Sequence, residues 1–336
     1  MSEKIIKQKI SFEFVNERLD LFVSSFFEDI SRSKIQSSIE NGYVLVNKNI
    51  VKKSYMLREN DEIIIDEEKI YEENPRNLPV LPEEINLDII WEDRYYIAVN
   101  KPAGLVVHPG HGQKKGTLLN GLYYYADKKF IPILAHRIDK NTSGVVIAAK
   151  NETAHEKLSK KFAEREIYKC YAGICIGKLP DFMSGIIEFP IGRDKKDPIK
   201  MAIDYQNGRY ARTDYEIIHF QNGIHFTCFR LHTGRTHQIR VHCSNGGFPI
   251  ICDEIYGGSK EKIKFLEQKD RNFALKIYGC FARQALHARF ISFNHPFSNE
   301  KISILATFPE DFCNSFCEAG LNEEKFNIFD RENSIC

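Results

Sequence analysis

Residues 134–150, LAHRIDKNTSGVVIAAK, set an aspartate, Asp139, between Arg137 and Lys140, in a run of turn-forming residues that closes at Gly144. Asp, Asn, Thr, Ser and Gly are the usual vocabulary of chain reversal, and an Asp among them most often only orients its own turn. A histidine and two cations beside the carboxylate add something a plain turn does not need, because nearby positive charge keeps a carboxylate ionised and oriented. The next residues, GVVIAAK from Gly144 to Lys150, are almost wholly apolar and predict a buried strand. Such a strand anchors the loop in front of it, so that the carboxylate cannot drift. A fixed, ionised carboxylate is what nucleophilic catalysis by an acid side chain requires.

Working outward, strand patterns fall at IIWED (89–93), YYIAVNKP (95–102), Tyr168–Ile176, Ala211–His219 and His225–His232. A helix is expected from Thr117, and another from Thr153, where Thr153 and Glu156 fit a capping box. Strands and helices alternate unevenly, which predicts an α+β domain on a mixed, largely antiparallel sheet over residues 87–325. Residues 326–336 read as a C-terminal tail and 1–17 as an N-terminal extension. Between them, residues 18–73 read as a small separate α/β module. Ser33 and Gln36 suit a capping box, Ile35 and Ile39 share a helix face, and Gly42 is a natural helix stop. Strands at Tyr43–Val46 and Glu62–Ile65 flank a turn at Asn47–Asn49. The stretch DEEKIYEENPRNLPVLPEEINL carries three prolines and many acids, and is expected to lack regular structure, with a linker over 74–86.

With 336 residues, 43% of them hydrophobic, the chain has length for two packed domains. No apolar run approaches the ~18 residues of a membrane span, and the charged first twenty residues are unlike a secretory signal. A soluble cytoplasmic protein is the expectation. Nine cysteines without a CxxC pair or a regular framework read as reduced, mostly buried thiols. His232, His237 and His242 recur every five residues, a spacing that does not align them on a helix, so no metal site is read there. A net charge of +1 requires any polyanion partner to be met by a local patch. Such a patch exists: residues 31–58 hold six Lys or Arg against one acid, Glu40, whereas residues 59–73 hold eight acids and one lysine.

Two further stretches stand out. YKCYAG begins at Tyr168, where a strand follows a basic helix end, and RLHTGRTHQIRVHCSNGG (230–247) carries Arg230, Arg235 and Arg240 with no acid. There is no second carboxylate placed as a glycosidase needs. Walker, GxGxxG-helix, HExxH and zinc-deaminase patterns are absent too. GHGQKKG at Gly110 is basic and glycine-rich but lacks the Walker lysine spacing. The chemistry is therefore expected to use neither metal nor cofactor.

HRIDKNTSG closely resembles the signature of the RNA pseudouridine synthases, in their large bacterial A-type family. NKPAGLVVHPG (100–110), GTLLNGL (116–122), GRTHQIRVH (234–242), DEIYGG (253–258) and RQALHARFISFNHP (283–296) follow in that family's order. Residues 18–73, through RLD, SRSKIQ, GYVLVN and NDEIII, resemble the S-four RNA-binding domain. The resemblance implies isomerisation of uridine in RNA, with Asp139 at the catalytic aspartate, Tyr168 at the tyrosine that packs on the target base, and Arg240 at the arginine that pairs with the aspartate. It places Arg137 in the space left by the flipped base, His136 and Arg235 among the substrate contacts, and Arg32, Lys34 and Lys48 on RNA in the small domain. Ala135 replaces a larger apolar residue and Cys252 stands where the family usually has Gly. NKPAGLVVHPG beside an S-four domain is most similar to the members acting on large-subunit ribosomal RNA. Rival readings are a transfer-RNA enzyme of the same family, a non-catalytic RNA-binding ribosome-assembly protein, and an N-glycosidase admitting water to the aspartate.

Overall fold

The apolar positions of the first eighty residues gather on one three-stranded antiparallel sheet. A computed structural model describes residues 5–27, 30, 32–72, 80–110, 113–177, 180–197 and 200–326. It divides into two compact units, Met1–Val80 and Leu81–Cys336. In the first, β1 (Ile5–Lys9) is followed by α1 (Leu19–Ser24), α2 (Arg32–Glu40), β2 (Val44–Val46), β3 (Glu62–Asp66) and α3 (Glu67–Glu72), with strand order β1-β3-β2. Ile35 and Ile39 share the buried face of α2 and pack with Val44, Ile63 and Ile65 in one core. Asn47 and Lys48 both have positive φ, 51° and 65°, and make the tight turn after β2.

Three expectations for this unit need correction. Residues 5–9, read as part of an extension, pair with β3 in register from Ile5↔Asp66 to Lys9↔Glu62. The acidic run after β3 forms α3, because Ile70 is fully buried and Glu67 and Glu68 suit a helix start; the expected linker at 73–79 lies outside the described residues. Helix α2 begins at Arg32, so Ser33 is inside it and is not its cap.

The second unit is built on a ten-stranded sheet. In chain order it has β4 (Ile89–Glu92), β5 (Tyr96–Lys101), α4 (Leu118–Ala126), β6 (Ile133–Leu134), β7 (Ser143–Ala149), α5 (Glu152–Ala163) and β8 (Tyr168–Ile176). Then come β9 (Ser184–Glu188), β10 (Ile191–Arg193), β11 (Met201–Ile203), β12 (Arg212–Gln221), β13 (Ile224–Leu231), α6 (Gln238–Asn245), α7 (Gln268–Gly279), β14 (Leu286–Asn294), β15 (Lys301–Leu305) and α8 (Glu310–Ala319). The main strand order is β4-β5-β7-β14-β8-β13-β12-β9, with β15 on β14 and β6 on β7, and β10 and β11 form a separate pair. Every pairing is antiparallel except β7 with β14. The mixed, largely antiparallel α+β expectation holds.

Every residue of β7 is buried. Val145, Ile147 and Ala149 pack with Ala154 and Leu158 of α5, while Val146 and Ala148 pack on the opposite face with Leu118 and Leu122 of α4. Helices on both faces explain why this strand reads as a continuous apolar run and not as an alternation. Thr117 caps α4 in a capping box with Asn120. The cap of α5 falls two residues before the expected Thr153, because the Asn151 side chain accepts from Ala154 N–H and takes that place. Phe326, the first residue of the expected tail, is fully buried against Phe226, Phe308 and Phe316; residues 327–336 lie outside the described residues. Among the described residues all cysteines are free thiols, five of them buried, and no helix is long and apolar enough to cross a membrane.

Candidate active site

The loop that carries Asp139 is fastened from three sides. Lys101, at the end of β5, is fully buried, and its Nζ donates to the carbonyls of Pro102 (2.8 Å), Leu105 (2.9 Å) and Lys140 (2.9 Å). Burial and the nearby Arg283 push its pKa down to about 7, against the pull of Asp139; the three carbonyl acceptors favour the ammonium. Arg283, from the turn before β14, donates to Asn141 O (3.0 Å) and Ser143 Oγ (3.1 Å) and is itself gripped by Asp311. At the loop's end Gly144 has φ +112°, and a Cβ there would sit 2.2 Å from the Ala288 carbonyl oxygen on β14. Only glycine lets β7 approach β14 this closely.

His136 supplies the third fastening. Its Nε2 accepts from Ile147 N–H at 3.0 Å and its ring lies on Phe162, 5.0 Å between centres. Burial, helped by the charge of Lys169, pushes its pKa down to about 3, and the neutral ring can therefore accept. The substrate contact expected of His136 is not what the geometry provides: the ring ties the loop to β7 and does not line the cavity beside Asp139.

Facing the aspartate is α6. Arg240 is buried, and its guanidinium spans two carboxylates. Nε and Nη2 donate to Asp253 at 2.6 and 2.9 Å, and Nη1 donates to Asp139 Oδ2 at 3.2 Å. Burial alone would lower the arginine's pKa, but the two carboxylates outweigh it and hold it raised. His237, the residue before α6, has φ +55° and sets Nε2 4.0 Å from Asp139 Oδ2, while its Nδ1 lies 2.8 Å from Tyr256 Oη. Asp253 and Tyr256 both belong to the DEIYGG turn, so one short segment orients both basic groups that face the aspartate. Cys252, just before it, has φ +60°, the left-handed region where a glycine is the natural occupant.

Asp139, Arg137, Tyr171, Arg235, His237 and Arg240 line one open cavity, together with the apolar Ile138, Leu231, Ile239 and Leu286. The Asp139 side chain is 25% exposed there and Arg240 5%. The structure thus brings together Asp139, Arg240, Arg137 and Arg235, as expected from sequence. It does not bring Tyr168. That ring sits beneath the Arg230 guanidinium, 4.7 Å from its centre, and edge-on to Phe290. Tyr171, three residues along β8 and so on the other face of the strand, occupies the cavity instead. Burial and the charge of Asp139 both raise its pKa. The signal available in YKCY was the cation: Lys169, two residues before Tyr171, shares its face and borders His136 and Phe162.

In the small unit two arginines meet at a buried carboxylate. Asp20 is fully buried and accepts from Arg18, Arg32 and Gln36. Burial opposes its ionisation, but these hydrogen bonds prevail and hold its pKa well below the usual carboxylate range. Arg32 keeps 48% of its side chain exposed beyond this contact. Lys34 is half-buried on α2 and Lys48 is exposed in the turn after β2. His111 and Gly112 of the GHGQKKG stretch lie outside the described residues. Among the described residues no three His, Cys, Asp or Glu side chains cluster as metal ligands.

Two family models match the chain: RNA pseudouridylate synthase over residues 95–245 and S4 domain over residues 17–63. Ribosomal large subunit pseudouridine synthase D of Pseudomonas aeruginosa is 34% identical over 90% of this chain and 92% of its own length. An uncharacterized RNA pseudouridine synthase of Bacillus subtilis is 37% identical over 88% and 92%. Among solved structures, human RNA pseudouridylate synthase domain containing 4 superposes with a TM-score of 0.54 at 25% identity, covering 70% of this chain and 93% of that one.

Proposed function

Since the chain belongs to the RNA pseudouridine synthase family, we propose that it isomerises uridines of large-subunit ribosomal RNA with Asp139 as its reacting carboxylate. The ribosomal substrate is supported by the relative from Pseudomonas aeruginosa, which matches over nearly its whole length. The observation that carries the chemistry is the Asp139–Arg240 pair inside a cavity open to solvent. The reaction breaks the bond from base N1 to the anomeric carbon, joins that carbon to C5, and moves one proton from C5 to N1. Atoms and electrons balance within the nucleotide, so neither oxidant nor group donor is called for.

In this reading Asp139 attacks the anomeric carbon or removes a proton from the neighbouring sugar carbon. Arg240 holds the carboxylate aimed, and the apolar lining strengthens that pairing by lowering the local dielectric. Tyr171, and not Tyr168, packs against the base. Flipping the uridine costs a few kcal/mol of stacking, which stacking on Tyr171 and phosphate contacts help to offset. Arg137, exposed at the cavity edge, fills the gap left in the RNA. Arg32, Lys34 and Lys48 of the S4 domain hold the RNA backbone and contribute affinity, not chemistry. The test is a map of pseudouridines in large-subunit ribosomal RNA from cells with and without this chain. Loss of specific sites is expected, and their return on re-expression. An unchanged ribosomal map with sites lost from transfer RNA refutes the substrate, and release of free uracil by the purified protein refutes the reaction.

A further inference from the structure

Beside the Asp139 cavity two guanidiniums, those of Arg165 and Arg235, meet at Tyr210, and Arg209, the residue before it, lies near enough to act on the charge of Arg235. Arg235, which lines the cavity, donates from Nε to the Tyr210 carbonyl at 3.0 Å. The Arg165 guanidinium lies over the Tyr210 ring, 5.3 Å from its centre. Arg209 precedes Tyr210, and its backbone is clamped by two 2.9 Å hydrogen bonds with Ile191. Arg165 and Arg209 are exposed, and Arg165 sits at φ +64° just beyond the end of α5. Among the described residues none of the three has a carboxylate within ion-pair distance, whereas Arg212 nearby is paired with Asp214. Glu188, the acid beside Tyr210, is engaged by the Tyr210 hydroxyl. Burial, then the charges of Arg209 and Arg165, lower the pKa of Arg235, as mutual repulsion among unpaired cations requires.

Like charges held together on a fixed frame without counter-charges cost stability unless an anion completes them. We infer that Arg165, Arg209 and Arg235 around Tyr210 form a phosphodiester subsite, which grips the RNA backbone beside the nucleotide whose base enters the Asp139 cavity. Guanidinium forks match phosphate oxygens in pairs, and Arg235 belongs to both the rim and the cavity, so backbone grip and base placement are joined through one side chain. This rests on the proposed reaction only for the identity of the flipped nucleotide. The backbone contact stands on the rim itself.

The test is the full chain carrying R165Q and R209Q together, both exposed positions, with Arg235 left intact. Binding of a fluorescein-labelled strand of about ten uridines is followed against potassium chloride, beside single-turnover conversion of transcribed large-subunit ribosomal RNA. Two lost single-strand contacts should lower the slope of log affinity on log salt by about 1.4, and weaken binding roughly ten- to thirtyfold near ~0.1 M salt. The rate at saturating RNA should stay within about twofold. A matched variant, K128Q with K129Q, removes the same charge from the turn after α4 and should give less than half of that slope change. The inference is overturned if R165Q/R209Q keeps the wild-type slope, if the matched variant loses as much, or if the loss falls on the saturating rate. Should wild-type protein show the rim-dependent slope but make no pseudouridine, the proposed reaction falls and the subsite stands.

Discussion

Replacing Arg240 by lysine keeps the charge and removes the fork. In the native site three guanidinium nitrogens make three bonds, two to Asp253 at 2.6 and 2.9 Å and one to Asp139 at 3.2 Å. A lysine Nζ is a single point and cannot repeat that span. It should settle on Asp253, which is 1% exposed, and abandon Asp139, which at 25% can be rewetted. A lost charge-assisted hydrogen bond is worth about 1.5–3 kcal/mol. At 1.4 kcal/mol per tenfold, the reacting carboxylate should lose roughly ten- to a hundredfold in rate. Single-turnover conversion of transcribed ribosomal RNA, with the enzyme in excess and saturating, measures this step apart from binding. RNA affinity, governed by phosphate contacts elsewhere, should stay within about threefold. Equal single-turnover rates for Arg240→Lys and wild type, with a folded variant, would show that the Asp139 contact is only structural.

Asp139→Asn should abolish conversion while leaving RNA affinity within a few-fold; turnover near wild type would remove the carboxylate from the mechanism. Tyr171→Leu, which removes the aromatic face, should slow conversion at saturating RNA whereas Tyr168→Leu in a folded variant should not, since Tyr171 lines the cavity and Tyr168 does not; the reverse order would restore Tyr168 to the site. Gly144→Ala should cost at least ~3 kcal/mol in urea unfolding, or prevent soluble expression, because its Cβ meets the Ala288 carbonyl at 2.2 Å in a φ region that is strained for alanine. Acid should destabilise the unit from residue 81 onward. Burial pushes His136 and His287 down to about 3 and His225 to about 4, so these rings stay neutral when folded and take up protons when unfolded. Their contribution is therefore complete above pH ~6.5 and is lost as pH falls towards 4, at up to about 4 kcal/mol per pH unit for three groups near pH 5.5. All eleven histidines lie beyond residue 80; an unfolding free energy of this unit that is flat between pH 6.5 and 5 contradicts the assignment.

The sheet was legible wherever burial is periodic or continuous. Tyr168–Ile176 coincides with β8, and β7 announced itself because helices cover both its faces. Elements with little apolar patterning were not legible. Helix α3 carries the buried Ile70 within a run of acids, and β1 is exposed along most of its length, so its place is fixed by backbone pairing to β3 and not by side-chain pattern. The cap of α5 went to Asn151 over Thr153 because both fit the local rule, and only the position of β7 decides where the chain turns.

The site divides in the same way. Asp139 was legible because its cations are adjacent in sequence, and Arg240 because an acid-free basic stretch of eighteen residues has few other uses. The neighbours that set their geometry were not, since each depends on contacts remote in the chain: Lys101 reaches Lys140 across 39 positions and Arg283 reaches Asn141 across 142. A buried lysine donating three bonds to carbonyls resembles an ordinary surface lysine until the fold closes over it. Tyr171 is the instructive miss. Two tyrosines three apart on one strand must face opposite ways, so the sequence already required a choice between them. What settles the choice is which face meets Asp139. The parallel step from β7 to β14 and the antiparallel step from β14 to β8 decide that, with His287 facing Ser143 on one side and Ala172 on the other. Strand alternation therefore narrows the tyrosine that lines the cavity to two candidates, and the order of strands in the sheet selects one.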